Sequence, residues 1–229
     1  MVIKMSIGNQ LKRLCNENKG LARSRLMFGQ VFTELIHYTA AFNERVFFMA
    51  QKARVIKVQL QLADMQRHYY QDHNLTLAQH PSETDERLMV RILAFALNAS
   101  EQLAFAKNLS DEGEPELAEY NLHGDIELWI AFGQLDEKWL RKASQKAKQV
   151  KVYTYGGRSV PIWWQQNQSR LQRFNNLQIW EIPEANVREA AGLMARSLQL
   201  QCNISEDQVL LSDQSQSISV EPVLLKDFT

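Results

Sequence analysis

The first regular pattern along the chain is an alternation: Ile56, Val58, Leu60 and Leu62 are separated by Lys57, Gln59 and Gln61. A period of two gives one buried and one wet face, so this stretch, opening near Lys52, predicts a half-buried strand. A short second strand is expected around Asn74 to Ala78, stopped by His80-Pro81-Ser82. Ser82 with Asp85 three residues on resembles a capping box, which predicts a helix from Glu83 to about Lys107. Within it Val90, Leu93 and Leu97 recur at spacings of three and four, and one turn toward the N-terminus the same stripe reaches Glu86.

The acidic stretch Ser110 to Glu116 holds Gly113 and Pro115 and predicts a loop before a strand at Leu117 to Asn121. The turn His123-Gly124-Asp125 then leads into Ile126 to Phe132, making a hairpin. In this strand Ile126, Leu128, Ile130 and Phe132 share one face, and Glu127, Trp129 and Ala131 the other. Asp136 caps a helix to Lys148, and Gln149 to Tyr155 is a strand ended by Gly156-Gly157. Pro161 opens a helix through Phe174, Leu177 to Ile182 is a strand, and Val187, Ala191, Met194 and Leu198 mark a further helix. Leu200, Cys202 and Ile204, then Val209 to Leu211 and Ile218 to Leu225, predict antiparallel strands at the C-terminus. The fold class is mixed α/β. No internal repeat, G-x-G-x-x-G or P-loop is present, so no nucleotide-binding motif supports that function class.

Residues 1–48 differ from the rest: Gly8, Gly20 and Gly29 interrupt the hydrophobic residues, and Phe28 to Phe42 is at most a weak amphipathic helix. The chain is therefore expected to divide into an N-terminal extension, 1–48, poorly ordered or arising from a misassigned start, and a domain over 49–229. The 229 residues, 45% of them hydrophobic, suffice for such a core. Of 26 basic and 26 acidic residues, seven and three lie in 1–48, leaving the domain mildly acidic. That removes the overall basic footprint of non-specific nucleic-acid binding, so nucleic acid would need a local patch. Cys15 and Cys202 stand too far apart and alone for a disulfide framework or a cysteine-rich zinc site, and no apolar stretch approaches a membrane span. A cytoplasmic protein without membrane insertion is expected.

Several residues could carry chemistry. Glu86, continuing an apolar stripe on the first turn of a helix, either faces a cleft or stays solvated and favours the helix N-terminus by its charge. Asp111, Glu112, Glu114 and Glu116 offer oxygen donors to Mg²⁺ or form a solvated acidic loop. Lys138, Lys142 and Lys146, four residues apart, meet phosphates or make a wet helix face. Trp163 and Trp164 beside Gln165-Gln166-Asn167-Gln168 stack on a ligand or pack on the sheet. The five histidines form no metal-ligand spacing, and no G-x-S-x-G occurs.

Met49-Ala50-Gln51-Lys52-Ala53, His80-Pro81-Ser82-Glu83-Thr84 with Glu86-Arg87, Leu128-Trp129-Ile130 with Gly133, Lys142-Ala143, Val152-Tyr153, Tyr155 and Trp163 to Gln168 stand in this order. In them the chain resembles the YaeQ family from Met49 to its C-terminus, and members of that family usually begin where Met49 stands. The resemblance implies a restriction-endonuclease-like, PD-(D/E)XK core: a mixed central sheet flanked by helices, with extra antiparallel strands at the C-terminus. In such cores a helix carboxylate, a Pro-acid and an acid-x-Lys converge on Mg²⁺, which activates water for attack on a phosphodiester.

By that resemblance Glu86 is the helix acid and Pro115-Glu116 the Pro-acid, with Glu86 and Glu116 as the metal ligands. The third position departs: Ala131 replaces the strand acid that family members usually carry, and Gly133 stands where the motif lysine would. Lys142 could substitute for the missing cation and Glu137 for the missing carboxylate. Glu127 shares a face with Ala131 but lies about 13 Å along the strand. The expected function is a binding or regulatory module with an impaired catalytic site, its partner a nucleic acid or a protein. The alternative is a divalent-metal-dependent phosphodiesterase using Glu86, Glu116 and a relocated group.

Overall fold

The computed structural model describes residues 53–106, 114–206 and 208–229. The expectations for residues 1–48, and for Asp111 and Glu112, lie outside the described residues. Strand β1 (Arg54–Asp64) carries the alternation seen in the sequence, burying Ile56, Val58, Leu60 and Leu62. It pairs with an antiparallel β2 (Tyr69–Gln79), twice as long as expected because the two strands form one continuous hairpin. Asp64 fixes the turn, its Oδ1 accepting from the backbone N–H groups of Gln66 and Arg67, and His68 takes a positive φ of 53°.

Helix α1 (Asp85–Asn98) follows, and it corrects both expected boundaries. Thr84 rather than Ser82 is the cap, its hydroxyl accepting from Arg87 N; Ser82 instead bonds the His80 ring. The helix stops at Asn98, well before Lys107, where Asn98 Nδ2 turns back to Ala94 O and Ser100 Oγ takes up Leu103 N. The chain then runs through β3 (Leu103–Phe105), β4 (Leu117–Tyr120) and β5 (Ile126–Phe132), an antiparallel meander. Helix α2 (Glu137–Lys146) is capped by Asp136 and followed directly by β6 (Ala147–Thr154). Helix α3 (Ser159–Leu171), β7 (Leu177–Glu181) and α4 (Glu184–Ala191) complete this part. Here α4 ends sooner than expected: Leu198 belongs to β8 (Ser197–Ile204), where it lies buried opposite Val58.

The strands form two sheets rather than one central sheet. A five-stranded sheet has the order β10-β9-β8-β1-β2, with β9 (Val209–Ser212) and β10 (Ser217–Val220). A six-stranded sheet has the order β11-β7-β6-β5-β4-β3, with β11 (Val223–Lys226), so the expected strand Ile218 to Leu225 divides between the two. Both sheets are mixed: β8 runs parallel to β1, and β5, β6 and β7 run parallel to one another. One apolar core joins the inner face of the five-stranded sheet, α1, α4 and the Leu128, Ile130 and Phe132 face of β5. A second joins the Trp129 and Ala131 face to α2 and α3. The layers are thus sheet, helix pair, sheet, helix pair. No described helix is long and apolar enough to cross a membrane.

Candidate functional site

The N-terminal turn of α1 meets the carboxyl ends of parallel strands β5 and β6, the edge at which open α/β sheets leave a crevice. Arg87 is the centre of this edge. Its Nη2 donates to Glu116 Oε1 at 2.5 Å, its Nε lies 3.7 Å from Glu83, and its guanidinium sits 5.9 Å from the Phe132 ring centroid. Tyr155, just beyond β6, supplies a further hydrogen bond. Burial alone would discourage the charge on Arg87, but Glu116 and Tyr155 outweigh it, so its pKa is raised above the usual arginine value. Beside it, Arg91 Nη1 donates to both Glu83 oxygens at 3.0 Å, with side chains only 2% and 5% exposed. Gly133 ends β5 at φ +89°, a left-handed conformation that favours glycine, and its N–H donates to Tyr153 O.

The residues singled out from sequence fall into two groups. Glu86 and Glu116 both belong to this edge: Glu86 is half-buried and makes no hydrogen bond or ion pair with a described residue, whereas Glu116 is held by Arg87. Ala131 lies on the opposite face of β5, 2% exposed in the cluster of Trp129, Leu140 and Ala143. Lys142 is exposed on α2, so the six-stranded sheet stands between its helix and α1. Glu127 is taken up by Lys148 and Asn121, and Glu114 by Lys146. Among the described residues no three His, Cys, Asp or Glu side chains gather to hold a metal. The reading had no role for Glu83, Arg87 or Arg91. Their four-residue spacing, acid-x₃-Arg-x₃-Arg, is the signal that Arg87 and Arg91 share one stripe of α1 in line with Glu83, which stands just before its cap.

A second constellation lies on the outer helix layer. A groove of about 500 Å³ runs between the β5–α2 connection, α2 and α3, lined among others by Glu137, Lys138, Arg141, Trp163 and Arg170. Trp163 is half-buried against the second core, and its Nε1 donates to Leu135 O at 3.0 Å, which fixes the ring. It therefore packs on the sheet side and lines a cavity at once. Glu137 accepts from Arg141 at 2.9 Å and from Arg173, and Arg170 stands at 3.9 Å. Hydrogen bonding from Arg141, against some desolvation and with the charges of Arg173 and Arg170, holds the Glu137 carboxyl below the usual range.

Comparison with known proteins gives a consistent answer. A family model described as "YaeQ protein" matches residues 49–222. The protein "Uncharacterized protein YaeQ" of Escherichia coli (strain K12) is 40% identical over 172 residues, covering 75% of this chain and 95% of the relative. The protein of the same name from Salmonella typhi is 39% identical over 173 residues, covering 76% and 96%. Two crystal structures superimpose on the fold. The YaeQ protein from Xanthomonas axonopodis pv. citri has a TM-score of 0.73 and 39% identity, covering 76% of this chain and 98% of that one. The YaeQ protein from Pseudomonas syringae has a TM-score of 0.74 and 32% identity, covering 78% and 98%.

Proposed function

This chain belongs to the YaeQ family, and from that premise we propose that it is a binding or regulatory module on a restriction-endonuclease-like core with an impaired cleavage site. The observation that carries the reading is the Arg87–Glu116 pair at 2.5 Å. A metal-dependent phosphodiesterase needs its carboxylates to compensate a divalent ion. Here Glu116 is already compensated by a guanidinium, which leaves Glu86 as the carboxylate beside it. Ala131 offers no oxygen, and its face of β5 looks toward α2 and α3. Gly133 offers no cation to a developing phosphorane, and loss of one such contact commonly lowers the rate about 10²- to 10³-fold. The described residues therefore do not fit a resident Mg²⁺ ion at Glu86 and Glu116, and no cleavage step is derived through one. What the edge does offer is recognition: Arg87 over the Phe132 ring, with Glu86 and Tyr155 nearby, supplies polar groups suited to a nucleic acid or protein partner.

The second reading, a divalent-metal-dependent phosphodiesterase, is favoured by one observation, that Glu86 is half-buried and has no partner among the described residues. One assay separates the two. The purified chain, given Mg²⁺ or Mn²⁺ and either single- or double-stranded DNA, is expected to cleave neither above background. Robust cleavage that disappears in Glu116→Ala would overturn the impaired-site reading and establish the phosphodiesterase.

A further inference from the structure

Lys138 of the basic stripe on α2 and Trp163 of the tryptophan pair on α3 have no part in the Arg87 edge, and the fold brings these two together in one groove. Lys138, Arg141 and Arg170 line it with Trp163, and Arg173 reaches the same Glu137 carboxylate from just beyond α3. Three guanidinium groups around one carboxylate exceed what a surface ion pair requires, since a single partner neutralises Glu137. Their ends remain accessible: the Arg141, Arg170 and Arg173 side chains are 53%, 69% and 51% exposed, while Glu137 is 20% exposed beneath them. The other acid of the groove, Asp136, is used as the cap of α2, its Oδ1 accepting from Trp139 N at 2.6 Å. Three guanidinium groups therefore converge on the Glu137 carboxylate, with Lys138 on the same groove wall.

We propose that this groove binds a small phosphorylated molecule carrying a planar ring, of which a nucleoside monophosphate is the simplest case, with Glu137 as an internal placeholder for the phosphate. A phosphomonoester presents three oxygens and up to two charges where a carboxylate presents two oxygens and one. Guanidinium forks match the phosphate in geometry as well as charge. The volume of about 500 Å³ lies within the roughly 300–1,000 Å³ of small-ligand sites. Trp163, its ring fixed by the bond to Leu135 O, offers a held aromatic surface for the ring. No glycine-rich loop is required, because side chains rather than backbone N–H groups meet the anion. The groove stands on the far side of the six-stranded sheet from Arg87, so this inference does not depend on the reading of that edge.

The test is calorimetric titration of the full chain with AMP, with inorganic phosphate and with a single-stranded oligoadenylate, repeated for Glu137→Gln, Arg141→Ala and Arg170→Ala. Saturable AMP binding is expected, weaker for phosphate alone. Removing the placeholder charge should tighten AMP binding about tenfold in Glu137→Gln, and each arginine variant should weaken it by about tenfold or more. Arg170, the most exposed of the three, supplies the variant whose fold is least disturbed. Phosphate binding as tightly as AMP would remove the ring and overturn the ligand class. Oligoadenylate binding far more tightly than AMP would make the groove a nucleic-acid path and overturn the small-molecule assignment. Absence of AMP binding to the native chain, to Glu137→Gln and to Arg170→Ala, with circular dichroism native, would overturn the site altogether.

Discussion

Helix α1 lies between two sheets and α2 between one sheet and solvent, and the two handle charge in opposite ways. Ten of the fourteen residues of α1 are buried, including Arg91, against two of ten in α2, Leu140 and Ala143. A side chain as enclosed as that of Arg91 cannot leave its charge unpaired, because desolvating an ion costs several kcal/mol unless a partner and hydrogen bonds compensate it. Arg91 accordingly meets both oxygens of Glu83, bonds Ala78 O and lies 5.5 Å from the Phe105 ring centroid. On α2 the charges face water, where pairing is optional and contributes little to stability. The innermost charge of α1, Arg91, is thus committed to the fold, whereas the arginines of α2 and α3 stay exposed and available to a ligand.

The most severe way to break this contrast is to remove one partner of the inner pair. Arg91→Ala removes both close hydrogen bonds from the enclosed Glu83 side chain, leaving Arg87 at 3.7 Å as its nearest cation, and is expected to cost about 3 kcal/mol, read from the urea midpoint. Replacing both partners by apolar residues of similar size, Arg91→Met with Glu83→Leu, should recover most of that loss. A cost below about 1 kcal/mol for Arg91→Ala would mean that water or Arg87 compensates Glu83 and that the Arg91 pair is not what holds this charge in the fold.

A smaller effect distinguishes the same two layers by pH. Tyr153 and Cys202 both belong to the inner core, and desolvation pushes each pKa up to about 12, from 10.0 and 9.0 respectively. Asn98 donates to the Tyr153 hydroxyl oxygen at 2.6 Å, which works against that rise, and Asp64 adds to the rise at Cys202. A group whose folded pKa exceeds its unfolded value stabilises the fold fully below the unfolded value, and that stability is lost as pH climbs toward the folded one. Thermal stability should therefore be level through neutral pH and fall between about pH 9 and 12. In the folded protein Tyr153 should escape the phenolate absorbance change near pH 10 that an exposed tyrosine gives. A Tyr153→Phe variant with an unaltered alkaline limb would remove this residue from the explanation.

The outer strand β1 was legible in the sequence, because its wet face puts Lys57, Gln59 and Gln61 between the buried residues. Strand β5 was legible as a strand but not in its roles. Leu128, Trp129, Ile130, Ala131 and Phe132 are all at most 9% exposed, so nothing in their polarity tells which face looks to α1 and which to α2. That is why Ala131 could be aligned with an acid-x-Lys motif without revealing that its face meets Leu140 and Ala143. The division into two sheets was hidden for a similar reason: β10 and β11 are separated by two residues, and register with partners distant in sequence decides which sheet each joins. The Arg87–Glu116 pair joins residues 29 apart in sequence, beyond the reach of any local pattern.

The smallest expected effect sharpens the comparison most at the outer layer. Lys142 is exposed on α2, and its helix packs on the Trp129 and Ala131 face of the sheet, away from Glu86, Arg87 and Glu116. An exposed lysine away from a packed or paired site changes stability by no more than about 0.5 kcal/mol when truncated. Lys142→Ala should thus melt with the native chain. A Mg²⁺ titration followed at the Glu86 and Glu116 carboxyl signals should also be the same for the two proteins, because a single charge beyond a layer of apolar side chains does not coordinate or reposition either group. A stand-in for the motif lysine would behave differently: its loss would alter those signals and abolish any metal-dependent cleavage while leaving the melt unchanged. If Lys142→Ala produced that split, the edge at Arg87 and the outer face of α2 would form one site, and the separation of structural from available charge would fail at this residue.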